Sequence, residues 1–307
     1  MSSTITDPEV LAFIDRTNAF YPPDAVKLSI ADQRSHYDRM CRDFRRPRPA
    51  GLAVEGGGLQ GAGRLIPIRR YWPTEPGQSR VVYFHGGGFV VGGLESHDDV
   101  CAEIADTCGL EVVAVDYRLC PEHPHPAAYD DALAAVDHLA DRPLIVAGDS
   151  AGGNLAAAVS LVRQNKISGQ VLIYPGLGGE AKHLPSYSDR AEAPLLSTQD
   201  VRYYGRIRAA GRNVSEDPTF APLRAKSFRG LPPCFISAAE HDPLRDDGDD
   251  YVAQLSKAGV PAELLIEPEL PHGHLRARSM STRAAEAFAR VCKAITDFDT
   301  RGLSLGG

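Results

Sequence analysis

Short, almost wholly apolar runs recur along this chain with helix-length segments between them. That alternation constrains the fold more than any other feature. Val81-Val82-Tyr83-Phe84 is the clearest run, and 112–115, 144–147, 171–174, 234–238 and 264–266 repeat it. A strand without a polar face belongs in a sheet covered on both sides. The stretches between, 100–108, 127–139, 151–164, 251–258 and 284–298, carry helical patterns. Strands alternating with helices predict an α/β fold, a mostly parallel sheet with helices on both faces. Leu65-Ile66-Pro67-Ile68-Arg69-Arg70-Tyr71 alternates like a further strand.

The 307 residues fit one large core with insertions. Ahead of it, 7–20 and 26–44 carry Val10, Leu11, Phe13, Ile14 and then Leu28, Ile30, Tyr37, Met40 at helical spacing, parted by Tyr21-Pro22-Pro23-Asp24. Rich in Tyr, Arg, Pro and Asp, 184–220 interrupts the strand-helix rhythm and reads as an insertion above the sheet. Gly56, Gly58 and Gly61 formally satisfy GxGxxG, but a strand follows them where a dinucleotide site needs a helix, so the tract reads as a flexible turn before a strand.

A net charge of -7 leaves no basic face for nucleic acid, and the cluster 42–48, which contains Asp43 and lies among prolines, reads as a solvated boundary. Six scattered cysteines without a CxxC pair argue for reduced thiols over zinc or a disulfide framework. The first sixteen residues hold acidic side chains and no long apolar run, which argues against a signal peptide or membrane span and gives a cytoplasmic expectation.

The chemistry gathers at two motifs. The strand 144–147 runs into Gly148-Asp149-Ser150-Ala151-Gly152 and an Ala-rich helix. A sharp strand-to-helix turn lifts such a serine clear of the sheet, while the helix N-terminus favours negative charge beside it. Alone, the motif would also suit a serine capping an ordinary helix. His85-Gly86-Gly87-Gly88-Phe89 follows the strand 81–84, and its glycines let backbone N–H groups face a developing oxyanion. Together the motifs point to acyl transfer, with Ser150 as nucleophile and the N–H groups of Gly87, Gly88 and Ala151 as oxyanion donors.

A serine nucleophile needs an imidazole and a carboxylate to orient it. Asp242 follows the strand 234–238 and His272 follows 264–266, in the order Ser, acid, His. Glu240 and His241 read as loop residues, and Asp246, Asp247, Asp249 and Asp250 as the charged start of the next helix. His123 and His125, among prolines, read as a rigid surface turn rather than a metal site. His272 and His274 could in principle ligate zinc, but a triad accounts for His272 without further ligands.

These segments resemble the bacterial hormone-sensitive-lipase-like family of esterases, a branch of the α/β hydrolases. HGGGF at 85–89, Asp116-Tyr117-Arg118-Leu119 with Pro121-Glu122-His123-Pro124 and Pro126-Ala127-Ala128, GDSAGGN at 148–154 and DPLRD at 242–246 stand in the family's order. The resemblance implies a Ser150, Asp242, His272 triad, the oxyanion donors just named, and a helical cap formed by residues 1–48 and the insertion at about 184–220 on a core of 49–307. It implies a carboxylesterase without cofactor or metal, acting on short acyl chains. Two residues depart from the pattern. Cys120 replaces an alanine, small for small, and His274 stands where the family has phenylalanine, which predicts a more polar pocket.

The implied partners are a small-molecule ester and water, with no nucleic acid and no membrane span; a homo-oligomer is left open. An amidase or arylformamide hydrolase would share fold and triad, and matched ester and amide substrates separate them. A non-catalytic small-molecule receptor of this fold would fail to react with a phosphonate at Ser150.

Overall fold

The computed structural model describes residues 4–22 and 27–302. Two helices open the chain. Helix α1 (Pro8–Asn18) starts where the Asp7 carboxylate accepts the N–H groups of Glu9 and Val10, and α2 (Ile30–Phe44) where Ser29 accepts from Asp32. Residues 23–26 of the expected linker and second helix lie outside the described residues.

The core elements follow in order: β1 (Ala53–Gly61), β2 (Arg64–Trp72), β3 (Arg80–Phe84), α3 (Asp98–Cys108), β4 (Glu111–Val115), α4 (Ala127–Leu139), β5 (Leu144–Asp149), α5 (Ala151–Ser160) and β6 (Ile167–Ile173). After β6 come the insertion helices α6 (Ser186–Asp189) and α7 (Thr198–Ala209), then β7 (Cys234–His241), α8 (Arg245–Lys257), β8 (Ala262–Pro271) and α9 (Thr282–Gly302). The eight strands stand in the order β1-β2-β4-β3-β5-β6-β7-β8, parallel from β4 to β8.

The glycine-rich tract differs from the expectation. It forms β1, paired antiparallel with β2 through a two-residue turn at Ala62-Gly63. Strand pairing to the residues 64–72, each with a side chain to pack, supplies the order that glycines cannot supply alone.

Strand β3 shows why apolar runs build this sheet. Val82 and Phe84 face one layer with Ala132 of α4, Leu155 of α5 and Leu255 of α8; Val81 and Tyr83 face the other with Ile104 of α3 and Ile295 of α9. Alternate side chains of one strand thus enter two separate cores. A third apolar cluster joins Val10, Phe13, Met40 and Phe44 of the opening helices to Leu270, Ala277, Ala284 and Ala287.

The basic cluster is largely solvent-exposed, as a solvated boundary requires, and it is also tethered to the core. Arg48 pairs with the buried carboxylate of Asp98 at 2.8 Å, Arg45 with Glu95 and Arg46 with Glu103, so the segment straps α2 to α3. Among the described residues no helix is long and apolar enough to cross a membrane.

Candidate active site

Every residue chosen from the two motifs lies at the C-terminal end of a strand, where a parallel sheet opens a crevice. Ser150 sits between β5 and α5 with φ 54° and ψ -113°, a backbone conformation that costs an L-residue of order 1–3 kcal/mol. Its N–H donates to Ile173 O at 2.9 Å, and its carbonyl accepts from Asn154 N–H, so neighbouring structure holds the strained turn. The turn also demands glycine: a Cβ on Gly152 would stand 1.8 Å from Phe84 O.

Ser150 Oγ is 3.0 Å from His272 Nε2, and His272 Nδ1 is 2.6 Å from Asp242 Oδ2. An ionised carboxylate only accepts, so Asp242 puts the imidazole proton on Nδ1 and leaves Nε2 free to accept from serine. Asp242 is fully buried at the end of β7, its second oxygen accepting Leu244 N–H at 2.8 Å. Glu240 and His241 belong to the end of β7 and not to a loop, and Glu240 accepts the Glu269 N–H from β8 at 2.8 Å.

Gly87, Gly88 and Ala151 share the wall of one cavity of about 830 Å³ with Ser150 and His272. Gly88 has φ +60°, and a Cβ there would meet the Tyr204 ring of α7 at 2.8 Å. Among the described residues none of the three N–H groups donates to a backbone carbonyl. Ala151 is the first residue of α5, whose leading N–H groups have no acceptor within the helix.

His274 is buried, opens the 3-10 turn His274–Ser279 and lies edge-on to Tyr174 with ring centroids 4.9 Å apart. It is absent from the cavity wall, so the expected polar lining at that position is not found. Burial pushes its imidazole down to about 4, and Pro271 O accepts from its Nδ1 at 3.1 Å. Tyr174 also contacts His272, at 4.7 Å.

Beneath these residues lies a cluster that the motifs contain but did not reveal. Asp149, buried, accepts from Tyr83 Oη (2.8 Å), Gly86 N–H (2.9 Å) and His97 Nε2 (3.2 Å). His97 and these donors hold it ionised well below the usual carboxylate range, against the cost of burial. One side chain therefore ties the loop after β3 to the turn after β5. Asp247 does similar work from α8: it starts that helix as expected, but it is fully buried and accepts from Leu177 N–H, Gly178 N–H and Tyr187 Oη. His125 is likewise buried rather than superficial, its Nε2 3.0 Å from Asp217 of the insertion. Asp149, between Gly148 and Ser150, and Asp247, within the acidic run 246–250, carried no sequence signal of burial beyond their place next to a motif.

A serine on a strand-to-helix turn, bridged through imidazole to a buried carboxylate at the top of a parallel sheet, defines the α/β-hydrolase class. The family described as alpha/beta hydrolase fold matches residues 81–276. Esterase LipI of Mycobacterium tuberculosis is 38% identical, over 91% of this chain and 90% of that protein. Ethyl acetate hydrolase of Pseudomonas putida is 34% identical, over 76% of this chain and 79% of that one. The solved hyperthermophilic esterase from Pyrobaculum calidifontis superposes with a TM-score of 0.87 at 29% identity, covering 96% of this chain and 99% of that chain. This chain belongs to the α/β-hydrolase family, in its hormone-sensitive-lipase-like esterase branch.

Proposed function

We propose that this carboxylic ester hydrolase is a serine carboxylesterase acting on esters of short acyl chains. The observation that carries the reading is the hydrogen-bonded chain from Ser150 Oγ through His272 to Asp242. His272 takes the serine proton as Ser150 Oγ attacks the ester carbonyl, and the N–H groups of Gly87, Gly88 and Ala151 hold the resulting oxyanion. Collapse expels the alcohol, which takes the proton from His272. Water then attacks the acyl-enzyme with His272 again as base, and the acid leaves.

Residues 1–48 and about 184–220 act in this reading as a cap over the core. Gln33 of α2 donates to Tyr203 Oη of α7 at 2.9 Å, which supports their working as one cover. The Tyr204 ring crowds the cavity beside Gly88, among the proposed oxyanion donors, which favours small acyl groups there. The test is kcat/KM across 4-nitrophenyl esters from acetate to laurate. A maximum between about two and six carbons supports the assignment; a maximum at twelve or more overturns it in favour of a lipase.

A further inference from the structure

The structure holds three buried arginines among its described residues, Arg80, Arg208 and Arg278. Two of them meet carboxylates: Arg80 pairs with Glu111 and Asp141, and Arg278 with Asp99 and Glu103. Arg208 of α7 has no carboxylate within ion-pair distance among the described residues, and it alone of the three lies on the wall of the cavity that holds Ser150. A guanidinium removed from water without a counter-charge is costly.

The groups in direct contact with it are all neutral. Nη1 donates to Phe220 O (2.9 Å), and Nη2 to Asn154 Oδ1 (3.2 Å) and Thr219 O (3.3 Å), while the plane lies against the rings of Phe89 (3.7 Å) and Phe220 (4.3 Å). Nε–H and the second Nη1–H have no hydrogen-bond acceptor among the described residues. Burial pulls the group down to about 9, and the Asp217 carboxylate, beyond ion-pair reach and bonded to His125 and Thr219, offsets this only in part. The whole wall leans the same way. In a chain of net charge -7 it carries five arginines and no lysine against Asp149, Glu180 and Asp200. Each acid is already engaged, Asp149 beneath the site, Glu180 with Arg202 and Asp200 in the cap of α7.

We propose that the cavity takes esters bearing a carboxylate, monoesters of short dicarboxylic acids, and that Arg208 determines this specificity. The inference rests on the esterase reading above and names its substrate class. Phe89 directly follows the proposed oxyanion donors, and Asn154 stands four residues beyond Ser150, about 6 Å along α5. A carboxylate a few methylenes from the scissile carbonyl thus reaches the guanidinium, whose fork suits it.

The experiment compares kcat/KM for monomethyl adipate and for methyl hexanoate, by acid release, in the natural protein and in Arg208→Met and Arg208→Lys. The expected anionic-to-neutral ratio exceeds one in the natural protein, falls about tenfold or more in Arg208→Met and is partly kept in Arg208→Lys. A purely structural role lowers both esters alike and leaves the ratio unmoved in folded Arg208→Met, which overturns the proposal. So does a ratio at or below one in the natural protein, a measurement that decides even if Arg208→Met does not fold. Turnover of 4-nitrophenyl butyrate by the natural protein separates the two failures. If that ester is hydrolysed while the ratio fails, only the charge preference is lost; if it and both methyl esters are left intact, the esterase reading falls and the preference with it.

Discussion

Beneath the cavity, buried groups meet at fixed distances: Asp149 binds the loop carrying Gly86 to the turn carrying Ser150, and Asp242 and Tyr174 hold His272 between them. Above it, α1 and α2 rest largely on apolar contacts, and the roof's ion pairs, such as Arg34 with Glu122 and Arg202 with Glu180, are open to water. Exposed pairs of that kind contribute at most about 1 kcal/mol each. The floor is intolerant because its geometry is over-determined, whereas the roof has room to change what the cavity admits without disturbing the groups below.

The largest expected break in that contrast is at the floor. Ser150→Ala should fold and lose on the order of 10⁴-fold or more in ester turnover, since members of such a set act as a unit. Retention of a tenth of the activity excludes Ser150 as nucleophile.

The two histidines sharpen it further. His272→Ala should lower kcat about a thousandfold or more, and His274→Phe less than about tenfold, because His274 packs behind Tyr174 and away from the cavity. Both are measured after circular dichroism shows each variant folded. A large loss that follows His274 instead moves the base.

A pair of glycines compares the layers directly. Gly152→Ala forces a Cβ into Phe84 O and should abolish soluble folded protein, whereas Gly205→Ala in α7, with no atom within 4 Å of the new Cβ, should stabilise by about 0.5–1 kcal/mol. In a domain of this size that is a rise of about 1–3 °C in Tm. Equal behaviour of the two variants would erase the distinction between floor and roof.

An effect of similarly small size concerns acid. Buried His274 titrates near 4 when folded and in the ordinary range near 6.5 when unfolded, so between these values the unfolded chain binds more protons. Stability is therefore lost as pH falls through that window. His274→Phe should reduce the loss between pH 7 and 5 by on the order of 1 kcal/mol in urea titrations. An unchanged loss assigns the acid sensitivity elsewhere, His85 being the next group, pushed down to about 3 by burial.

The floor was also the legible layer. Apolar runs located β3 to β7, because a strand buried on both faces has no polar side to hide it; the edge strand β8 showed only its short run 264–266, and the two motifs located Ser150 and the loop at 85–89. What escaped was tertiary in origin. β1 is ordered by its partner, so its glycines gave no strand signal. Asp149 and Asp247 matter because of donors brought from 63 and 70 residues away. The roof carried only helical spacing. Nothing in the residues 184–220 announced that Arg208 would be the buried arginine without an acid.

The cluster joining the opening helices to Leu270, Ala277, Ala284 and Ala287 sets an order on the chain's birth. Phe44 leaves the ribosome 243 residues before Ala287. At roughly 5–20 residues per second that interval is about 12–50 s. For that time the apolar faces of α1 and α2 lack their final cover, and the roof is the last layer of the fold to be secured.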